Sequence, residues 1–277
     1  MPELPEVETI KRVLEPQIKG LSIQKVIAVR PEVIGHPTGA EFCSRLTQQS
    51  VSGMARRGKF LIVLLDGGDR LIIHLRMTGC LLLTPADYPQ EKHTHVIIEM
   101  NDGSQLRFSD TRRFGRIWLL GDDETDTYSG VEKLGKEPID TDFSAEYLSA
   151  CLGKRKKTIK ECLMEQRVIA GIGNIYSDEI LFAAGIYPAR PANHLSGQEW
   201  TRLAEVIPRK LSFFIEKNSL TPEEYLESKG QNYRNTLFLQ VYGKEGQACP
   251  ICGAALCRMV IGGRSSTFCP HCQKEME

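Results

Sequence analysis

The first residues of the chain, Met1–Glu8, combine two prolines with three carboxylates. If Met1 is removed, which the small side chain of Pro2 permits, the new terminus is a secondary amine on a rigid ring. An α-amino group has a pKa near ~8, so a usable fraction is unprotonated at neutral pH. Such an amine can attack an electrophilic sugar or carbonyl carbon and form an iminium intermediate, and the adjacent Glu3 can act as general acid or base. The sequence therefore predicts covalent amine chemistry at Pro2.

The same stretch carries the signals of a helix start. Pro5 suits the first helical position, and the glutamates after it suit the positive end of the helix dipole. Apolar residues then recur at helical spacing until Gly20, at Val7, Ile10, Val13, Leu14 and Ile18. We expect a helix here, but a helix start explains neither Pro2 nor Glu3, so both interpretations stand.

Four cysteines near the C-terminus form the pattern C-x2-C-x16-C-x2-C. They are Cys249, Cys252, Cys269 and Cys272. Four thiolates at this spacing suit a closed tetrahedral zinc site, and a doubled motif disfavours a disulfide pair or a redox C-x-x-C. Four protein ligands leave no position for a substrate, so we predict one structural Zn²⁺ ion. It would fix a β-hairpin (255–261 and 264–268) that presents Arg264, and Cys257 is a weaker candidate ligand because of its spacing.

The bulk composition is that of an ordinary globular protein, with 41% hydrophobic and 25% charged residues among 277. We find no apolar run of membrane-span length and no signal peptide pattern, so we expect a cytoplasmic protein without a membrane partner. The formal net charge is zero, but basic residues cluster at 56–59, 112–116 and 154–157. A basic face balanced by acids elsewhere suits a polyanion, although each cluster alone is also typical of a solvated face.

The apolar pattern changes near the middle of the chain. Short apolar or alternating runs with tight-turn signals predict an antiparallel sandwich or barrel in the first half, packed against the N-terminal helix. The predicted strands are Leu21–Val29, Lys59–Leu65, Arg70–Thr78, His95–Met100, Gln105–Phe108 and Arg116–Leu120. A linker over 121–143 precedes an α-rich second half. Its predicted helices are Ala145–Leu152, Thr158–Glu165, Ile175–Ala184 and Gly197–Lys217.

Two later segments join these elements. The glycines of 170–175 permit a tight turn, and Asn174 suits the N-cap of the next helix. N–H groups at such a helix start can seat a phosphate, although a plain connecting turn is favoured for an isolated G-x-G-N. Residues 218–236 are polar with weak helical character, and Leu237–Tyr242 is predicted to be a strand.

Taken in order, these motifs resemble the formamidopyrimidine-DNA glycosylases, bifunctional base-excision repair enzymes of the Fpg/Nei type. The resemblance covers essentially the whole chain and is carried by residues 2–9, 57–60, 74–79, 110–115, 171–176 and 241–244 and by the four-cysteine finger. It implies an α+β multidomain fold. An N-terminal antiparallel β-sandwich with its N-terminal helix (1–130) would precede a helix-two-turn-helix domain (131–236) and a zinc finger (237–277).

The resemblance also implies a reaction. Pro2 would attack C1′ of a damaged nucleotide and expel the base, and Glu3 would protonate the oxygen of the sugar ring. The Schiff base would then allow β- and δ-elimination to cut the strand on both sides. Lys59 would contact a phosphate near the lesion. The implied catalytic set is Pro2, Glu3, Lys59 and Arg264.

A buried base must leave the stack before its sugar can be attacked, at a cost of about a few kcal/mol. The resemblance implies that Met77 and Phe114 wedge the duplex and that Arg112 hydrogen-bonds the orphaned partner base. The pattern alone would make Met77 and Phe114 core residues. Glu6 would order water or the flipped nucleotide, or simply begin the helix. The implied phosphate contacts are Lys59, His74, Asn174, Tyr242 and Arg264.

The expected substrates are oxidised purines in double-stranded DNA, namely 8-oxoguanine and formamidopyrimidines. The stretch 217–236 departs from the family, which commonly has a glycine-rich segment and a capping loop there, and Lys244 stands where arginine is common. Oxidised pyrimidines, as in the endonuclease VIII branch, are the alternative substrates, and a non-enzymatic binder of damaged DNA is the alternative class. A zinc-ribbon module would explain only the finger. We expect a monomer that is associated with the nucleoid when bound to DNA.

Overall fold

The computed structural model of the chain describes residues 2–275, so Met1, Met276 and Glu277 lie outside the described residues. The expected removal of Met1 therefore concerns a residue outside this range. The chain divides into two compact units, each built from separate segments. The first comprises Pro2, Glu6–Lys133 and Asn218–Tyr233, and the second comprises Glu3–Pro5, Leu134–Lys217 and 234–275. The boundaries predicted at residues 130 and 236 stay predictions.

The first unit contains two β-sheets and three helices. The helices are α1 (Leu4–Ile18, which begins in the segment of the second unit), α2 (Gly39–Leu46) and α7 (Pro222–Glu227). One sheet has the order β2-β9-β5-β4-β3, from β2 (Ile34–His36), β3 (Val51–Arg57), β4 (Phe60–Leu65), β5 (Arg70–His74) and β9 (Arg116–Leu120). The other has the order β1-β7-β8-β6, from β1 (Ile23–Ala28), β6 (Gly79–Thr84), β7 (Thr94–Met100) and β8 (Gln105–Asp110).

These two sheets share one apolar core with α1. Every strand pair is antiparallel except β2 with β9. Alternate residues of β4, β5, β7 and β8 enter the same buried cluster as Val7, Ile10 and Leu14 of the helix. The predicted sandwich with a packed N-terminal helix is thereby confirmed.

Several predicted strand limits were wrong. The predicted strand Arg70–Thr78 ends at His74, because Arg76 has a φ of +54° and the Gly79 N–H binds the Leu75 carbonyl at 2.9 Å. The chain turns there and continues as β6, which the sequence pattern did not predict. Strand β3 and helix α2 were also missed.

The second unit is mainly helical. Its helices are α3 (Ala145–Leu152), α4 (Ile159–Leu163), α5 (Asn174–Ala184) and α6 (Gly197–Lys217). The predictions for α3 and α6 are confirmed to the residue. Their apolar faces and α5 form one buried cluster, which also contains Leu4.

Two local predictions in the second unit were wrong. Asn174 is the first helical residue of α5 and Gly173 is the N-cap, so the cap prediction missed by one position. The segment Leu237–Tyr242 is no strand, since a 3-10 turn spans Arg234–Phe238 and a buried carboxylate binds the N–H groups that follow.

The C-terminal hairpin consists of β10 (Cys257–Ile261) and β11 (Arg264–Phe268). Ile261 pairs with Arg264 across a two-residue turn, in which Gly262 and Gly263 have φ values of +54° and +74°. Such a turn needs positive φ at both positions, which glycine adopts without strain. The hairpin prediction is confirmed. Within residues 2–275, none of the helices has the length and apolarity to span a membrane.

Candidate active site and nucleic-acid interface

Glu3 is held by the start of α5 within the second unit. Its side chain is 1% exposed, and its carboxylate accepts hydrogen bonds from the N–H groups of Gly173 (2.7 Å), Ile175 (3.0 Å) and Tyr176 (3.4 Å). The first N–H groups of a helix lack partners inside it, and the helix dipole favours a negative charge there. The helix therefore fixes the orientation of this carboxylate.

The chain can pass this close because of a glycine. Gly171 has a φ of +90°, and a Cβ atom there would lie 2.6 Å from the Leu4 side chain. The Leu4 N–H also donates to the Gly171 carbonyl at 3.1 Å. A larger residue at this position would push the first residues away from α5.

Two other N-terminal residues belong to the first unit. Pro2 is partly exposed, whereas Glu6 is 3% exposed. Burial, followed by the charges of Cys80 and Glu6, raises the pKa of Tyr233 well above its ordinary value. Glu6 therefore lies close enough to Tyr233 for their charges to interact.

Lys59 and His74 lie at neighbouring positions in the first unit. Lys59 occupies the two-residue turn between β3 and β4, and Phe60, the next residue, pairs with His74. Burial, with the charges of Arg76 and Lys59, lowers the pKa of His74 to about 3. Its Nδ1 accepts the Arg76 N–H at 3.0 Å, so Nε2 carries the proton. At neutral pH this imidazole is thus an uncharged donor beside a buried ammonium group.

The three residues of the predicted wedge occupy exposed turns. Met77 is 45% exposed in the turn after β5, and Phe114 is 51% exposed in the turn after β8. The Arg112 guanidinium lies over the Phe114 ring, 4.8 Å from its centre, where the ring face attracts a cation. These side chains are not core residues, contrary to the pattern-based interpretation.

Tyr242, in the second unit, ends a short segment whose backbone is hydrogen-bonded to α5. The Glu179 carboxylate is fully buried and accepts the N–H groups of Gln240, Val241 and Tyr242 at 2.8 to 3.0 Å. One sequence signal of a buried polar role was missed, because two acids, Asp178 and Glu179, interrupt the apolar pattern of α5. Asn174 lies at the start of the same helix.

Arg264 begins β11, and this strand is tied to α5 by Asp178. That carboxylate accepts the Ser266 hydroxyl at 2.8 Å and the Thr267 N–H at 2.9 Å. Lys160, which is 0% exposed, places its Nζ 2.7 Å from the Asp178 Oδ1.

Lys160 was not predicted from the sequence, yet it interacts with two predicted catalytic residues. Burial lowers the pKa of Lys160; the charges of Asp178 and Glu3 oppose the shift, and Arg264 adds to it. Glu3 and Arg264, the predicted catalytic residues of the second unit, therefore share one electrostatic environment.

The four predicted zinc ligands meet in the second unit. Their Sγ atoms all lie within 4.8 Å of one another, with Cys249 to Cys272 at 3.9 Å and Cys252 to Cys269 at 3.5 Å. A tetrahedral ion with Zn–S bonds of about 2.3 Å places its ligands about 3.8 Å apart. The residues fit one structural zinc ion. Cys257 is exposed and lies outside the group, so the four-cysteine assignment is confirmed.

Sequence comparison matches three consecutive regions of the chain. Residues 1–117 match the formamidopyrimidine-DNA glycosylase N-terminal domain, residues 134–223 the H2TH domain of the same enzymes, and residues 246–274 the zinc finger found in FPG and IleRS. The formamidopyrimidine-DNA glycosylase of Pelotomaculum thermopropionicum is 43% identical over 274 residues, which are 99% of each chain. This chain belongs to the formamidopyrimidine-DNA glycosylase family.

Solved structures of this family agree. A complex of the wild-type Lactococcus lactis Fpg with DNA containing an oxidised pyrimidine has a TM-score of 0.91 and 36% identity, and it covers 99% of this chain and 100% of that one. A complex of the Lactococcus lactis enzyme with DNA containing FAPY-dG has a TM-score of 0.90 at the same identity and coverage. The predicted family, fold class and enzyme class, a DNA glycosylase of base-excision repair, are confirmed.

Proposed function

We propose that this glycosylase removes oxidised purines from duplex DNA and then cuts the strand at the resulting abasic site, with Pro2 as the nucleophile. The observation that carries the proposal is the Glu3 carboxylate, buried and oriented by three N–H groups at the start of α5. Glu3 directly follows Pro2, the proposed nucleophile, in the chain. The proposed nucleophile therefore has an adjacent acid–base group whose orientation is fixed, as general acid–base catalysis requires.

The proposed chemistry has three steps. The Pro2 nitrogen forms a bond to C1′ of the damaged nucleotide and loses its proton to the Glu3 carboxylate, and the bond from C1′ to the base breaks with its electron pair leaving on the base. Glu3 donates a proton to the ring oxygen as the C1′–O4′ bond breaks, which leaves an iminium ion. That ion acidifies the adjacent sugar proton, so β-elimination expels the 3′ phosphate and δ-elimination the 5′ phosphate.

The predicted DNA contacts fall into three groups with different proposed tasks. Lys59 (6% exposed) offers a positive charge with little access to water, which suits a phosphate beside the reacting sugar. His74, Asn174, Tyr242 and Arg264 are proposed phosphate contacts that set the position of the duplex. Met77, Arg112 and Phe114 are proposed to fill the space that the everted base leaves.

The proposal also concerns which damaged bases the enzyme removes. The similar Lactococcus lactis structures were solved with an oxidised pyrimidine and with FAPY-dG, so both lesion classes are substrates to test. We favour oxidised purines, with oxidised pyrimidines as the second candidate. A monomeric state and a cytoplasmic, nucleoid-associated location also remain proposals.

The decisive experiment combines intact mass with a cleavage panel. Protein whose mass matches a chain beginning at Pro2 is incubated with duplexes containing 8-oxoguanine, formamidopyrimidine, thymine glycol or an abasic site. Sodium borohydride is added to parallel samples, and it should trap a covalent protein–DNA adduct. A chain extended by one residue ahead of Pro2, in which the ring nitrogen is an amide, should lose both cleavage and trapping while it retains DNA binding. If protein beginning at Pro2 leaves every duplex intact and forms no adduct, the proposed nucleophile and substrates are wrong.

A further inference from the structure

Two turns of the first unit carry the proposed wedge, and they lie side by side. Met77 lies in the turn between β5 and β6, and Arg112 and Phe114 lie in the turn between β8 and β9. Strands β6 and β8 are antiparallel neighbours, and Gly79 pairs with Asp110 at their ends. The pairing of these strands thus brings both turns to the same end of the sheet.

A single buried carboxylate binds both turns. Asp110 is 1% exposed, and its Oδ1 accepts the Thr78 hydroxyl from the first turn and the Arg112 N–H (3.1 Å) from the second. Its Oδ2 accepts the Gly115 N–H at 2.7 Å. Charge-assisted bonds of this kind are roughly twice as strong as neutral ones. Asp110 therefore spans the second turn from one end to the other.

The Thr78 hydroxyl is the direct link between the turns. It donates to Asp110, and its oxygen accepts the Arg112 N–H at 3.2 Å. Thr78 directly follows Met77 in the chain, and its hydroxyl binds the backbone of Arg112, so it contacts both parts of the wedge. One hydroxyl therefore fixes the spacing between the two parts of the wedge.

These bonds hold a backbone that is otherwise unfavourable. Arg76 and Arg113, one in each turn, have φ values of +54° and +56°. Residues other than glycine adopt such angles only where the surroundings enforce them. Around Arg113, Asp110 and Thr78 supply that enforcement by accepting the N–H groups of Arg112 and Gly115. Around Arg76, the His74 ring accepts the Arg76 N–H, and the Thr78 hydroxyl ties the end of the turn to Asp110.

We propose that Asp110 and Thr78 are positioning residues for base eversion, which hold the two turns at the spacing that inserts Met77, Arg112 and Phe114 together. The inference rests on the proposed function. Neither residue touches the reacting sugar in this scheme, and both act through the turns that they join. Preorganisation of this kind removes an ordering cost from the step in which the base leaves the stack.

The test compares Thr78→Val with Thr78→Ser. Valine keeps the shape without the hydroxyl, and serine keeps the hydroxyl, so the pair separates hydrogen bonding from packing. We expect Thr78→Val to slow single-turnover base release from a lesion duplex on the order of tenfold, and Thr78→Ser to restore most of it. Strand cleavage at a preformed abasic site should change far less, since no base has to leave the stack there.

A second readout follows wedge insertion itself. A 2-aminopurine next to the lesion brightens when its neighbours unstack, and this rise should be slower in Thr78→Val in proportion to base release. Asp110→Asn should show the same selective loss, and a larger one, because the single amide oxygen can accept the Arg112 N–H or the Gly115 N–H but not both.

The outcomes separate this inference from the proposed function. If the wild-type chain cleaves neither lesions nor abasic sites, the proposed function fails. If the wild-type chain is active but Thr78→Val matches Thr78→Ser, or loses abasic-site cleavage to the same extent as base release, the positioning role alone is wrong.

Discussion

Asp178 and Glu179 are consecutive residues of α5, yet their carboxylates bind two different segments. Asp178 accepts from Ser266 and Thr267 in β11, and Glu179 accepts from the N–H groups of residues 240–242. The same helix holds Glu3 at its first turn. One helix thus positions three segments that carry predicted site residues.

The first prediction concerns Glu179. Replacement by glutamine removes the negative charge and sets an amide NH2 group against the Gln240 N–H, which Oε2 accepts at 3.0 Å. Hydrogen bonds to a charged group contribute about 1.5–3 kcal/mol each. We expect Glu179→Gln to lower the free energy of unfolding by about 2–3 kcal/mol. Urea denaturation measures this, with the exposed Glu205→Gln on α6 as a matched control. Equal urea midpoints for the two variants would refute the assignment.

The second prediction concerns the buried ion pair of Lys160 and Asp178. Removing one partner leaves a buried charge, so Lys160→Met should lower the free energy of unfolding by about 3–5 kcal/mol. Adding Asp178→Asn should cost less than the sum of the two single changes, because no unpaired charge then remains. A double-mutant cycle measures the coupling, and simple additivity would contradict a direct pair.

The third prediction is a pH dependence. The pKa of His74 is 6.5 in the unfolded chain and about 3 in the folded one, so between these values only the unfolded chain binds the proton. The stabilisation is complete above pH 6.5 and is lost as the pH falls towards 3, by about 1.4 kcal/mol per pH unit. Lowering the pH from 7.5 to 5 should therefore cost the wild type about 2 kcal/mol more than His74→Gln. Urea unfolding curves of both proteins at the two pH values measure this difference. If wild type and His74→Gln lose the same free energy of unfolding between pH 7.5 and pH 5, His74 is not a neutral buried residue.

The fourth prediction separates charged from neutral phosphate contacts. Arg264→Gln should lower the slope of log affinity against log salt by about one unit, because one phosphate loses its cation. His74→Gln should weaken binding without changing that slope at pH 7.5, because the imidazole is already uncharged. Fluorescence anisotropy with a reduced abasic duplex from 50 to 300 mM salt supplies both slopes. Identical slopes for wild type and Arg264→Gln would remove Arg264 from the interface.

The fifth prediction concerns the finger. Cys249→Ser should release zinc and lose DNA binding, since the hairpin loses the ion that fixes it. Cys257→Ser is the matched control, because that thiol is exposed and lies outside the cluster. Zinc content by atomic absorption should be one ion per chain in the control. Full DNA affinity in zinc-free Cys249→Ser would disprove the structural role.

The parts that could be predicted from the sequence depend on local signals. The zinc ligands follow from cysteine spacing, and the predicted limits of α3 and α6 match the structure because an apolar period identifies a helix. The partners of the two buried carboxylates of α5 could not be predicted, because they lie 61 and 89 residues away. The expected strand at 237–242 failed for the same reason, since the N–H groups that would build a ladder bind Glu179 instead.

The wedge shows a second limit of the sequence. Met77 and Phe114 look like core residues when only their apolar character is considered. The φ angles of Arg76 and Arg113 turn the chain outward there, and nothing in those residue types signals a left-handed backbone. Only the resemblance to a family identified these two positions in advance.

The bond between Glu3 and Gly173 joins residues 170 positions apart. A ribosome adds about 5–20 residues per second, so roughly ten to thirty seconds separate the synthesis of the two ends of this bond. Throughout that interval the nascent chain has its first residues but not the helix start that aligns them. A growing chain therefore carries the proposed nucleophile, Pro2, beside an acid that is not yet aligned, and the proposed chemistry becomes possible only late in translation.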